Sequence, residues 1–138
     1  MNDPLVLECA RAIRLYLPEL LQERPDAQDR ARSMDRMLTE LLGEADHGGQ
    51  VDEAILDVLR QLPELHNWAA GFLQYGMPPE VVAAVDRAGY QQPPGEGDPV
   101  GARKYACPVA GDTLWWQRAV GQEVPRCPTH GVLLEPAT

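Results

Sequence analysis

Cys107-Pro108-Val109-Ala110-Gly111 and Cys127-Pro128-Thr129-His130-Gly131 are two copies of one five-residue pattern. The pattern is Cys-Pro-x-(ligand)-Gly. Its proline fixes φ directly after the first ligand, and its glycine permits a left-handed return that turns backbone N–H groups toward the sulfur. Two such turns facing each other bring four side chains to one metal ion. The second turn is complete, with Cys127 and His130. The first is one ligand short, because Ala110 stands where the second ligand belongs.

Cys107, Cys127 and His130 are therefore the primary metal-ligand candidates. Two thiolates and an imidazole suit Zn²⁺ over Mg²⁺ or Ca²⁺. Asp112, directly after the first turn, is the best fourth ligand in sequence terms, and a water molecule is the other choice. A water would leave an open site of the catalytic kind, for which Glu123 is the nearest general base in sequence. His47 and His66 could reach the site only if the two ends of the chain dock. The competing expectation is a module that has lost its metal and is held by its tryptophans and a Cys107–Cys127 disulfide.

Working outward, Arg103–Ala106, Thr113–Arg118 and Val132–Leu134 read as short strands around the turns. Trp115 and Trp116 are adjacent on the second of these, so their side chains point to opposite faces. One packs with Tyr105, Val124 and Leu133; the other is exposed or covers another surface. An exposed tryptophan flanked by Arg118 is a candidate partner contact. About 35 residues of β-structure bury too little apolar surface to stand alone, so a metal or docking must support them.

Upstream, residues 91–101 (Gln91 to Gly101) are rich in proline and glycine and read as a linker. Residues 1–90 read as five helices, or six if Pro18 breaks the first. Asp3-Pro4 has N-cap and N1 chemistry, followed by the stripe Val6, Cys9, Ile13, Leu17, Leu20 and Leu21. Ala31, Met34, Leu38, Leu41 and Leu42 mark a second helix, stopped by Gly48-Gly49. Val51, Ile55, Val58, Leu59 and Leu62 mark a third, and Leu65, Trp68, Ala69, Phe72 and Leu73 a fourth ending at Gly76. Pro78-Pro79 opens a last one carrying Val82, Val85 and Ala88. Cys9, Met34 and Met37 read as core, and Glu44-Ala45-Asp46-His47 as a solvated helix end.

The fold class expected is mainly α: a bundle of five or six helices (residues 1–90), a linker (91–101) and a small β module (102–138). Residues 1–100 carry 18 acidic and 8 basic side chains, and residues 101–138 carry 3 and 4. An acidic helical surface repels phosphate backbones, so nucleic acid is an unfavoured partner. There is no spanning apolar run and no signal sequence, which excludes a membrane role. Three cysteines, an odd number, fit metal-bound thiolates in a reducing, cytoplasmic setting better than a disulfide framework. No nucleophile triad, phosphate-binding loop or carboxylate pair is present, so the chain does not read as an enzyme.

Residues 103–136 resemble a zinc ribbon. More narrowly, Cys107-Pro108-x-x-Gly111-Asp112-x-x-Trp115 followed by Val124-Pro125-x-Cys127-Pro128-x-His130-Gly131 resembles C-terminal ribbon-like tails of actinobacterial conflict-system and signalling proteins. That resemblance implies metal-ligand roles for Cys107, Cys127 and His130, with Asp112 matching the Gly-Asp pair of the pattern. Ala110 departs from ordinary ribbons and excludes a four-sulfur site. The helical part is similar in size and helix count to death-like effector-associated domains. Those are homotypic adaptors that recruit proteases, nucleases or ATPases in bacterial immunity. Together these imply a non-enzymatic adaptor with a structural zinc, recruiting another protein, with homotypic helical contacts as one route. The alternatives are a regulator that contacts nucleic acid through the ribbon, or a hydrolytic or redox zinc enzyme with an open site.

Overall fold

The computed structural model describes residues 2–83, 103–109, 111–117 and 122–137. The expected linker 91–101, the last-helix positions Val85 and Ala88, Ala110 and Arg118 lie outside the described residues. Four helices, α1 (Pro4–Leu20), α2 (Ala27–Asp46), α3 (Asp52–Arg60) and α4 (Pro63–Tyr75), precede three short strands, β1 (Arg103–Ala106), β2 (Leu114–Gln117) and β3 (Glu135–Pro136). Residues 79–83 are also helical and form α5. The protein is thus mainly helical with a small antiparallel sheet. Among the described residues no helix is long and apolar enough to cross a membrane.

The Asp3 carboxylate accepts a hydrogen bond from the Leu5 amide at 2.9 Å, and Pro4 occupies the first helical position, where its missing N–H costs nothing. The helix runs through Pro18 and ends at Leu20, with the Leu21 amide bonded to the Leu17 carbonyl. Of the two outcomes expected at Pro18, a continuous helix is the one formed. Proline there forfeits one bond, to the Arg14 carbonyl, less than one turn before the end, where the ladder is already thinning.

α1 is the central element. No side chain from Leu5 to Leu17 is exposed, because α2, α3, α4 and β2 all pack on it. Around it Met34, Leu38 and Leu42 of α2, Ile55 and Leu59 of α3, and Leu65, Trp68 and Phe72 of α4 close the helical core. In α5 the fully buried position is Val81; Val82, which the sequence pattern favoured, is only partly buried. Gly76 terminates α4 at φ +75°, the left-handed conformation that glycine adopts without steric cost.

Arg24, in the α1–α2 turn, grips Glu64 in the first turn of α4 through two hydrogen bonds of 2.6 and 2.8 Å. The hydrogen bond from Arg24 is the main cause that holds the Glu64 carboxyl at about 2, below its ordinary 4.5. A folded-state value below the unfolded one means that the pair's contribution is complete above pH 4.5 and is lost as pH falls toward 2. Glu64→Gln is expected to lower the urea midpoint at neutral pH, with the difference from wild type shrinking progressively below pH 4.5. A difference independent of pH across that window would show that the ion pair is not its source.

The sheet has the order β2-β1-β3, with Tyr105 opposite Trp115 and Lys104 opposite Trp116. The third strand is a correction to the sequence expectation. Val132–Leu134 do not pair with β1; Glu135–Pro136 do. The reason lies in the second turn. Cys127 N–H donates to the Val132 carbonyl, Leu134 N–H donates to the Pro125 carbonyl, and Arg126 bridges Leu133. Residues 132–134 are thereby used to close that turn, and the chain reaches β1 only afterwards.

Helices and sheet share one core. Tyr16, Trp68, Phe72 and Trp116 form a chain of ring contacts with centroid separations of 5.3, 5.4 and 5.7 Å, the last edge-to-face. Lys104 lies 5.5 Å from the Trp116 ring centroid while its Nζ donates to Glu8 of α1 at 2.9 Å. The β module therefore docks on the helices, a matter the sequence had left open.

Candidate metal centre

Each half of the centre is a local consequence of its five residues. Gly111 and Gly131 have φ of +66° and +67°. Each donates its N–H to the carbonyl of the cysteine four residues earlier, Gly111 to Cys107 at 3.0 Å and Gly131 to Cys127 at 2.8 Å. The two turns share both their left-handed glycine and their closing bond. Antiparallel pairing of β1 with β2 then delivers Cys107 and Asp112 to one end of the sheet, where the second turn meets them.

Ligand atoms of Cys107, Asp112, Cys127 and His130 all lie within 4.8 Å of one another. His130 Nδ1 is 3.4 Å from Cys107 Sγ, 3.6 Å from Cys127 Sγ and 3.5 Å from Asp112 Oδ1. Cys127 Sγ is 3.5 Å from Asp112 Oδ1. Zinc–sulfur bonds of about 2.3 Å and zinc–nitrogen or zinc–oxygen bonds of about 2.0–2.1 Å, at tetrahedral angles, separate sulfur from nitrogen or oxygen by about 3.5–3.6 Å and nitrogen from oxygen by about 3.4 Å. Four of the six edges match those of such a tetrahedron, and the other two are within 4.8 Å. The residues present fit a divalent metal ion.

Both sulfurs are buried, Asp112 is half-buried and His130 faces solvent. Burial by itself pushes the Cys127 thiol up. It is outweighed by the Thr113 hydroxyl, the His130 amide and side chain and the Thr129 amide, so the thiol titrates below its ordinary value. Those amides are the N–H groups that the Cys-Pro turn was expected to aim at its sulfur. The Thr113 hydroxyl that contributes to this lowering is fully buried and has no hydrogen-bond partner of ordinary geometry among the described residues. Cys9 is the opposite case. Buried on α1, its thiol is pushed up to about 12 by loss of solvation. All three cysteines are free thiols.

The other sequence candidates are placed elsewhere. His47 is exposed and hydrogen-bonded through Nδ1 to the Gly43 carbonyl, and His66 is exposed on α4. Glu123 is exposed and is not among the four clustered residues. Trp115 and Trp116 are 8 % and 4 % exposed. Trp115 packs against Tyr105, and Trp116 covers the helices instead of facing solvent.

One residue at the centre was not anticipated. Arg14 of α1 has a side chain only 1 % exposed. Its Nε donates to Asp35 Oδ1 of α2 at 2.6 Å, its Nη1 to the Asp112 carbonyl at 3.1 Å, and its Nη2 to Thr129 Oγ1 at 2.6 Å. Nη1 also lies 3.6 Å from Asp112 Oδ2. A signal did exist in the sequence. Ala10, Arg14, Leu17 and Leu21 lie at helical spacing, and a cation inside a buried stripe requires partners.

Compared with known proteins, the chain shows no significant match to any family model, any curated protein or any solved structure.

Proposed function

We propose that Cys107, Asp112, Cys127 and His130 hold a structural zinc ion. On this reading the protein is a non-enzymatic adaptor, a helical bundle carrying a zinc-ribbon-like module, whose work is to recruit another protein. The observation that carries the metal reading is the clustering of four ligand atoms within 4.8 Å, three from two copies of one turn and one from Asp112 beside the first, with four edges at tetrahedral length. Two thiolates, an imidazole and a carboxylate favour zinc among divalent ions, and zinc itself brings no redox chemistry. With four side chains in the tetrahedron no position is left for water or substrate, which favours a structural over a catalytic role.

The buried tryptophans support docking, not partner contact. Among the described residues of the β module, the exposed large apolar side chains are Val109, 61 % exposed in the first turn, and Leu133, 51 % exposed just past the second. They flank the metal centre, and this reading assigns the partner contact to them. The test is purification of the tagged protein from its native cells, with zinc assayed and bound proteins identified by mass spectrometry. One zinc per chain and a stoichiometric partner, lost on replacing Val109 and Leu133 by aspartate, is the expected result. Recovery of nucleic acid, or of a zinc-loaded chain with no partner, would overturn the adaptor reading.

A further inference from the structure

We propose that Arg14 is the positioning residue of the metal centre: by holding Asp112 it makes the fourth ligand, and thus the metal affinity, depend on the helical part of the chain. This inference rests on the zinc reading above. Asp112 comes from outside the Cys-Pro-x-x-Gly turn, so nothing in the turn's own geometry aims its carboxylate. Its two oxygens are divided between neighbours. Oδ1 lies 3.5 Å from both Cys127 Sγ and His130 Nδ1, on the ligand side. Oδ2 faces Arg14 Nη1 at 3.6 Å, and the same nitrogen holds the Asp112 carbonyl at 3.1 Å. Backbone and side chain of one ligand are thus fixed by one guanidinium.

That guanidinium is itself immobilised. Asp35 of α2 accepts from Nε, and Thr129, the residue before His130, accepts from Nη2, each at 2.6 Å. Arg14, on α1, therefore joins α2, the residue that follows the first turn and the second turn at once. Its planar fork spans these directions together, which an ammonium cannot do. Its burial shields the guanidinium itself from competing water. Groups that orient a ligand in this way typically change metal affinity by about 10–100-fold when removed. The missing ligand at Ala110 is thus compensated by a non-local device: a carboxylate two residues downstream, steered by a helix nearly 100 residues upstream.

The experiment measures zinc affinity of the full chain by chelator competition, and the absorption spectrum of the cobalt-substituted protein, for wild type, Arg14→Met, Asp112→Ala and the double variant. Arg14→Met is expected to bind zinc about 10–100-fold more weakly and to lose tetrahedral cobalt absorption as water enters the fourth position. Adding it to Asp112→Ala is expected to cost no further affinity, since the two act through one ligand. A folded Arg14→Met protein with lowered thermal stability but wild-type zinc affinity and cobalt spectrum would reduce Arg14 to a core residue and overturn the proposal. If Arg14→Met does not fold, Thr129→Val leaves every charge in place and removes one of the bonds that orient the guanidinium. It is then expected to weaken zinc about threefold to tenfold, and unchanged affinity would equally overturn the proposal. A wild-type chain that takes up no zinc is a different failure, because it removes the metal reading itself.

Discussion

Cys127→Ala is expected to abolish stoichiometric zinc and to unfold the β module, with first proteolytic cleavage in residues 103–137. Cys127 is the most buried of the four ligands, and its sulfur lies at tetrahedral distance from both Asp112 and His130. Its loss leaves three ligands with no thiolate on the second turn. Metal binding to small structural zinc modules contributes about 10–16 kcal/mol of folding free energy at neutral pH. The sheet has two four-residue strands and a two-residue third, far below what a free-standing sheet needs. Docking recovers part of the difference, so the loss should appear as a lower unfolding midpoint and altered tryptophan circular dichroism, with the helical signal partly kept. Cys9→Ala is the control, since that thiol lies on α1 outside the cluster. Unchanged melting and protease sensitivity in Cys127→Ala would sink the structural-zinc reading.

Trp116→Ala is expected to destabilise helices and sheet together, by about 3–5 kcal/mol, the usual cost of deleting a large buried aromatic side chain. Its ring packs edge-to-face on Phe72 at 5.7 Å, and its backbone amide lies 3.4 Å from the Tyr16 hydroxyl oxygen of α1. Lys104 also loses the ring face it covers. Removing the ring opens a cavity between β2, α1 and α4, and also deletes the end of the Tyr16–Trp68–Phe72–Trp116 chain. For a chain of this size the midpoint should fall by about 10–20 °C. The helical signal at 222 nm should report it, although the substitution lies in a strand. A helical midpoint that does not move would mean that the sheet does not share the helical core. Loss of a partner without loss of stability would instead make Trp116 a surface anchor.

What could be read in the residues and what could not divides along the range of the interaction responsible. Gly111 and Gly131 sit at left-handed φ, and amides of the second turn aim at the Cys127 sulfur, as the five-residue pattern requires. The helix start at Asp3-Pro4, the stops at Gly48-Gly49 and Gly76, and the stripe from Val6 to Leu21 follow from capping and periodicity in the same way. Asp112 was recognisable as a candidate because carboxylates are competent ligands and it stood closest to the gap. The third strand was misplaced because residues 132–134 have strand-like character whether they pair with β1 or close their own turn. Propensity does not choose between two partners.

Local chemistry was legible in the residues alone: where helices begin and end, that two Cys-Pro turns form, and which side chains they offer to a metal. Each of those outcomes is settled within a few residues by sterics, hydrogen bonding and hydrophobic spacing. Tertiary packing settled that Trp116 covers Phe72, that the two turns converge on one point, and that Arg14 reaches across to the Asp112 carbonyl there. Those contacts join residues from 15 to 98 positions apart. Which of many apolar and charged surfaces meet is set by the joint burial of the whole chain, and an isolated stretch of sequence carries no record of that choice.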